Sequence, residues 1–309
     1  MGSGGWGVGG GEWGWAPVPR LSCMRCGRLA AIPGFRVCSR AMSIPTVPAS
    51  LRRLAGRAIA DFAMIRSGDR ILVGLSGGKD SLTLLWLLHD LARRAPVRFE
   101  VGAVTIDPEI PGFEPGRLRD YLGAFSIPYF FVSEPIADLA GRHMGKDSFC
   151  AFCARMKRGL MYRTARQRGY NVVALGQHLD DLAESFLMSA FHGGQLRTMK
   201  AHYRIDAGDL RVIRPLVYVR ERQTRDFART AGLPVIADNC PACFAMPTQR
   251  EHMKALLARE EAQHPRLFRN LRTALDPLMR EGLPDAWEAT QHAGSRSAPA
   301  GGAGPEGVA

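Results

Sequence analysis

Residues 75–81 read LSGGKDS and follow directly on the apolar run ILVG at 71–74. Ile71, Leu72, Val73 and Leu75 have the β-branched and aliphatic character of a strand buried on both faces. Beyond the loop, Leu84, Leu85, Leu88 and Leu91 recur at helical spacing, and Asp80 and Ser81 suit a helix start. The stretch therefore reads as strand, glycine loop, helix. Gly77 and Gly78 leave room for backbone N–H groups to turn inward, and the helix N-terminus behind them adds the positive end of a dipole. Such a loop receives an oxyanion. A plain strand-to-helix turn needs neither Lys79, Asp80 nor the two flanking serines, Ser76 and Ser81.

The spacing of this loop differs from the G-x-x-x-x-G-K-[ST] nucleotide loop and from G-x-G-x-x-G as well. Further strand-like runs stand at 99–107 (FEVGAVTID), 128–132 (PYFFV), 171–176 (NVVALG) and 210–216 (LRVIRPL), mostly separated by helix-patterned segments. That alternation predicts an α/β fold with a doubly wound, mostly parallel sheet and ligands at the carboxyl ends of its strands. GQHLDD, at 176–181, follows its strand as LSGG follows ILVG. There His178, Asp180, Asp181 and Glu184 cluster, with Asp180 and Glu184 on one helix face. Like charges at that spacing call for a basic group or a cation, and Mg2+ carried by ATP would serve.

Four of the seven cysteines form CAFC at 150–153 and CPAC at 240–243. Two such pairs in an intracellular chain indicate a metal centre, and the residues themselves suit either four-thiolate zinc or an iron–sulfur cluster. Cys23, Cys26 and Cys38 lie in the irregular leader and are read as incidental. The formal net charge of +12 favours a polyanionic partner, although a solvated basic surface gives the same total. Arg155, Lys157, Arg158, Arg163, Arg166 and Arg168 follow the first cysteine pair on a helix-patterned segment and are the candidates for phosphate contact. No run approaches the length needed to cross a bilayer, and the N-terminus does not resemble a secretory signal, so a cytoplasmic, non-membrane protein is expected. Residues 1–41 and 286–309 read as disordered leader and tail around one domain at 42–285.

SGGKDS resembles the PP-loop of ATP pyrophosphatases. Taken with IADFAMIRSGDRILVGLSGGKDS, CAFCARMKRGLMYRTA, ALGQHLDD, IRPLVYVRE and LPVIADNCPACF in that order, residues 50–255 resemble the tRNA-cytidine 2-sulfurtransferases (TtcA). The resemblance implies a PP-loop enzyme that adenylates the C2 oxygen of an anticodon-loop cytidine and replaces it with sulfur. It further implies a 4Fe-4S cluster held by three cysteines, here Cys150, Cys153 and Cys243, with Cys240 as competitor for the third place. ATP and Mg2+ are the implied cofactors, and Ser76, Gly77, Gly78, Lys79, Asp80, Ser81, Gly176, His178 and Asp181 the implied nucleotide site. Lys79, Asp80 and the three cysteines carry the catalytic roles. tRNA, a cysteine desulfurase or other sulfur donor, and a second copy in a homodimer are the implied partners. Gln177 stands where the family usually has a histidine. The alternatives are a tRNA uridine thiolase, a lysidine-synthetase-like ligase, or a non-catalytic zinc-stabilised RNA-binding protein.

Overall fold

Ile71 and Val73 of β1 (Arg70–Gly74) point to one side and Leu72 to the other, and all three are fully buried. The computed structural model describes residues 43–110, 112–143, 149–236 and 249–280. The leader, the tail, Cys240 and Cys243 lie outside the described residues. Each neighbouring strand repeats the two-sided burial: Val172 and Ala174 of β4 (Val172–Ala174) pack with Ile71, whereas Val173 packs with Leu72. Val212 and Ile213 of β6 (Arg211–Ile213) divide in the same way. The sheet is therefore the middle layer of three, with apolar side chains leaving both faces.

Helices fill the outer layers. On one face lie α1 (Ala49–Asp61), α2 (Lys79–Ala92), α3 (Gly116–Gly123), α7 (Glu221–Thr230) and α9 (Leu267–Arg280). On the other lie α4 (Ile136–His143) and α5 (Phe149–Gln167), whereas α6 (Leu179–Gly193) packs on α8 (Gln249–Gln263) and α9. Helix α2 is buried nearly all round, from Ser81 to Leu88, because it lies between the sheet and α7. Its Trp86 meets Phe125 edge-on at 4.7 Å, an arrangement that suits the opposite charge of ring face and ring edge.

With β2 (Glu100–Asp107), β3 (Tyr129–Ser133) and β5 (His202–Arg204), the strand order is β3-β2-β1-β4-β6-β5. Every pairing is parallel except β5 with β6. The predicted fold class holds, and the antiparallel edge strand β5 is an addition: three residues, HYR, give no period that sequence can register. The chain winds outward in opposite directions from β1 and from β4. Their carboxyl ends therefore part to leave a crevice at the switch point, where such sheets take their ligands.

At the opposite edge of the sheet a single carboxylate ties three strand starts together. Asp69, 4% exposed, accepts from the Arg66 backbone N–H at 2.7 Å, from Asn171 Nδ2 at 2.9 Å and from Arg211 Nη2. Arg70 N–H donates in turn to Asn171 Oδ1 at 2.8 Å. The amino ends of β1, β4 and β6 thereby share one anchor. Removing one member of such a buried pair leaves an uncompensated charge, at a cost of about 3–5 kcal/mol. Asp69→Ala should lose that much in urea unfolding, while the far end of the sheet keeps its nucleotide affinity under folding conditions; a loss below about 1 kcal/mol would contradict the anchor.

Candidate active site at the ends of β1 and β4

After β1 the chain must turn sharply into α2. Gly77 makes the turn at φ +86, a conformation costly for any residue with a Cβ, and a Cβ there would also strike Ile236 Cδ1 at 2.9 Å. The Gly77 carbonyl accepts the Ile236 N–H at 2.9 Å, so the loop rests on the segment that follows α7. The hydroxyls of Ser76 and Ser81 lie 3.3 Å apart; Ser76 Oγ accepts from Gly78 N–H at 3.3 Å, and Ser81 Oγ donates to Gly78 O at 2.9 Å. No side chain caps the N-terminus of α2. Its first-turn amides are thus oriented for an external acceptor, which a phosphate supplies.

The second loop comes into contact through Gly176. A Cβ there would stand 3.1 Å from both the Asp80 carbonyl carbon and the Ser81 nitrogen, which are backbone atoms with no freedom to swing aside. Downstream, His178 and Asp181 form a reciprocal cap of α6: the His178 N–H donates to Asp181 Oδ2 at 3.0 Å, and Asp181 N–H donates to His178 Nδ1 at 3.3 Å. Because Nδ1 accepts, the ring proton sits on Nε2, which faces Asp80 Oδ1 at 3.7 Å. The two strand-end loops are thereby joined side chain to side chain as well as backbone to backbone.

Charges around the loops are interlocked. Lys79 Nζ lies 2.9 Å from Asp80 Oδ2 and 3.0 Å from Glu221 Oε1. Burial alone would lower the Lys79 pKa, yet these two carboxylates raise it, so the ammonium stays charged. Burial likewise opposes ionisation of Glu221, but Lys254 at 2.7 Å and Lys79 hold its pKa down at about 2. Arg225 reaches the same carboxylate at 3.2 Å. Asp180 meets Arg220 Nε at 3.1 Å through both oxygens and accepts the Glu221 N–H at 2.8 Å, while Arg220 continues to Glu261. The need for a positive partner at Asp180 is therefore met by Arg220, while Glu184 has Arg250 Nε at 3.8 Å and a pKa that burial pushes up.

One cavity of about 550 Å3 opens at this crevice. Ser76, Gly78, Asp80 and Ser81 of the first loop line it, with Gly176, Gln177 and Asp181 of the second and Cys153 and Lys157 from α5. Lys79, Gly77 and His178 adjoin these residues in sequence without lining the cavity themselves. Cys150 and Cys153 are one turn apart on α5, the first exposed and the second buried at the cavity wall, and neither is in a disulfide among the described residues. Val104, Ile106, Pro108, Ile110 and Phe113 make an apolar wall. Of the basic residues on and after α5, Lys157 faces the cavity, Arg166 is paired with Asp209 at 2.6 Å, and Arg168 covers the Phe130 ring. Glu221 and Arg220, which the site-residue reading did not single out, end the stretch IRPLVYVRE, the one local signal for them. Thr224, whose hydroxyl donates to Asp80 Oδ1, Lys254, and Arg250, which lines the cavity, have no such signal.

Glu184 is pushed up to about 7, by burial first and by the Asp181 charge second, with Arg250 and Lys254 in opposition. The folded protein therefore binds a proton between about pH 4.5 and 7 that the unfolded chain has released. Its stabilising share is complete at acid pH and is lost as pH rises through 7, to a total of roughly 3 kcal/mol. Glu184→Gln should become progressively more stable than the parent between pH 5 and 8 in parallel urea titrations. A difference that stays constant across that range would refute the assignment.

The model of the PP-loop domain family matches residues 51–255. The tRNA-cytidine(32) 2-sulfurtransferase of Geobacter sulfurreducens is 43% identical over 236 residues, which cover 76% of this chain and 92% of the relative. That of Stenotrophomonas maltophilia is 38% identical over 238 residues, covering 76% of this chain and 79% of the relative. Among solved structures, the U34-tRNA thiolase NcsA from Methanococcus maripaludis with its [4Fe-4S] cluster superposes with a TM-score of 0.61 at 19% identity, covering 75% of this chain and 79% of that one, a likeness of fold. From a loop built for oxyanions at the switch point and from these relatives, the chain belongs to the PP-loop domain family and, within it, to the tRNA-cytidine 2-sulfurtransferases.

Proposed function

We propose that the protein thiolates tRNA: with ATP it activates the C2 oxygen of an anticodon-loop cytidine, position 32 in the names of its relatives, and replaces that oxygen with sulfur. The observation that carries this reading is the single cavity in which Ser76, Gly78 and Ser81 share a wall with Cys153. Activation and sulfur delivery must meet at one carbon, and this cavity is the place where they can.

The chemistry divides between the walls. The cytidine O2 attacks the α-phosphorus of ATP, the bond to the bridging oxygen breaks, and pyrophosphate leaves. Amides at the N-terminus of α2 and the Ser76 and Ser81 hydroxyls receive the departing pyrophosphate, and Lys79 moves its charge from Glu221 toward it. Asp80 and Asp181 both face the cavity; two carboxylates together with substrate phosphates match the oxygen set that Mg2+ prefers. A hydrosulfide-level sulfur then attacks C2, and AMP departs with the former O2. The apolar wall from Val104 to Phe113 suits adenine and keeps water from the activated base.

Cys153 lines the cavity and Cys150 precedes it by one turn on α5; two thiols so spaced would suit two ligands of a 4Fe-4S cluster, with Cys243 as the third. Such a cluster supplies an iron position open to exogenous sulfur. Arg155, Lys157, Arg158 and Arg163 lie on α5, Lys157 at the cavity lining, and serve the tRNA backbone, with a smaller share for Arg166 and Arg168. A cysteine desulfurase or another sulfur donor, a cytoplasmic setting and a homodimer complete the proposal.

Protein purified without oxygen should contain iron and acid-labile sulfide. With ATP, Mg2+, sulfide and a tRNA transcript it should yield 2-thiocytidine by nucleoside mass analysis. Cys153→Ala should lose both iron and product. Lys79→Gln should keep the iron and lose about 100-fold or more in kcat/KM, the scale of one removed charge stabiliser. Zinc in place of iron, or full thiolation by the cysteine variant, would sink the proposal.

A further inference from the structure

Arg214, 7% exposed, lies just beyond β6 with no carboxylate in ion-pair reach among the described residues. Its Nε donates to Gln177 Oε1 at 2.9 Å, and its Nη1 donates to the Lys200 carbonyl. The Tyr203 ring stands 5.5 Å from its guanidinium carbon, and the Tyr203 hydroxyl is 3.5 Å from that of Tyr162. The arginine is thus held from three sides. A guanidinium can only donate, so the atom of Gln177 that faces it has to be the carbonyl oxygen. The amide of Gln177 is fixed in one orientation, and the group left for the cavity, which Gln177 lines, is its NH2. An ordinary glutamine can turn over and present donor or acceptor alike. This one presents a donor alone.

Resting on the proposed thiolation of a pyrimidine at C2, we infer that Gln177, set by Arg214, is the residue that selects cytosine over uracil. With O2 committed to attack on phosphorus, the neighbouring edge atom is N3. In cytosine N3 carries a lone pair and accepts the amide N–H. In uracil N3 carries a hydrogen, and two donors would face each other with neither satisfied. A site built to hydrogen-bond one edge rejects the other strongly because a buried polar group is left unpaired. Cys153 and the Ser76 to Ser81 loop, which treat the two bases alike, add no discrimination of their own.

The test uses the full-length, cluster-loaded enzyme and two transcripts of one tRNA, with C or U at the reactive position, scored for 2-thiocytidine and 2-thiouridine. Gln177→Glu keeps an oxygen for Arg214 and replaces the outward NH2 by an acceptor. The C-to-U ratio of kcat/KM should fall at least tenfold, while the KM for ATP and the thermal midpoint match the parent. A purely structural role for Gln177 would move the midpoint and leave the ratio intact. If the parent makes 2-thiocytidine and Gln177→Glu keeps the parent's ratio, the selection role is overturned and the thiolation reading stands. If the parent thiolates neither transcript, the thiolation reading falls and this inference with it.

Discussion

The site depends on one steric constraint, the approach of the β4 loop to the backbone of the first turn of α2. A Cβ at Gly176 would crowd the main chain of Asp80 and Ser81 at 3.1 Å, and main-chain atoms give way less readily than the end of a side chain. That approach narrows the crevice left by the opposed winding of the chain about β1 and β4. It also places the His178 ring against Asp80 and sets Gln177 at the cavity edge. Without it the loops would still exist, but they would form two separate turns at the top of a sheet.

Around this contact carboxylates that are largely out of solvent are compensated across elements, in part by cations that reach in from the surface. Lys79 from α2 shares Glu221 with Lys254 of α8 and Arg225 of α7, while Arg220 links Asp180 to Glu261. Buried ion pairs contribute little net stability, because desolvation offsets their attraction. Their value here is positional: helices from distant parts of the chain are fixed at the rim of the cavity before a ligand enters. The Asp69 cluster does the same for the strand starts, so the ion pairs around the cavity and those of the anchor occupy opposite ends of the strands.

What could be read from sequence was what is encoded locally. ILVG before LSGGKDS gives strand, loop and helix because period, glycine and polarity all change within a dozen residues. The strands at 100–107, 129–133, 172–174 and 211–213 were legible from their apolar runs, though the regular pairing is shorter than the runs at 171–176 and 210–216. β5 was not, since Tyr203 and its neighbours carry no alternation and pair only because the β6 edge is near. Partners across space were equally hidden: Asp180 and Arg220 lie forty positions apart, and Gln177 and Arg214 thirty-seven. The acids near 180 were read as needing a basic group or a cation, and Arg220 on Asp180 and Arg250 near Glu184 could not be named without the fold. The joint placement of loop and Cys153 follows from α5 crossing the sheet face beside β4, a fact of topology.

The threefold company of Glu221 bears on how a nucleotide can enter. A lysine moving toward incoming phosphates normally leaves a bare carboxylate behind, and that penalty works against the ligand. Here Lys254 and Arg225 would stay on the acid if the lysine turned to a ligand, so the exchange would leave no charge stranded. The scaffold around Glu221 would therefore stay charge-compensated while a polyanionic guest drew the lysine away.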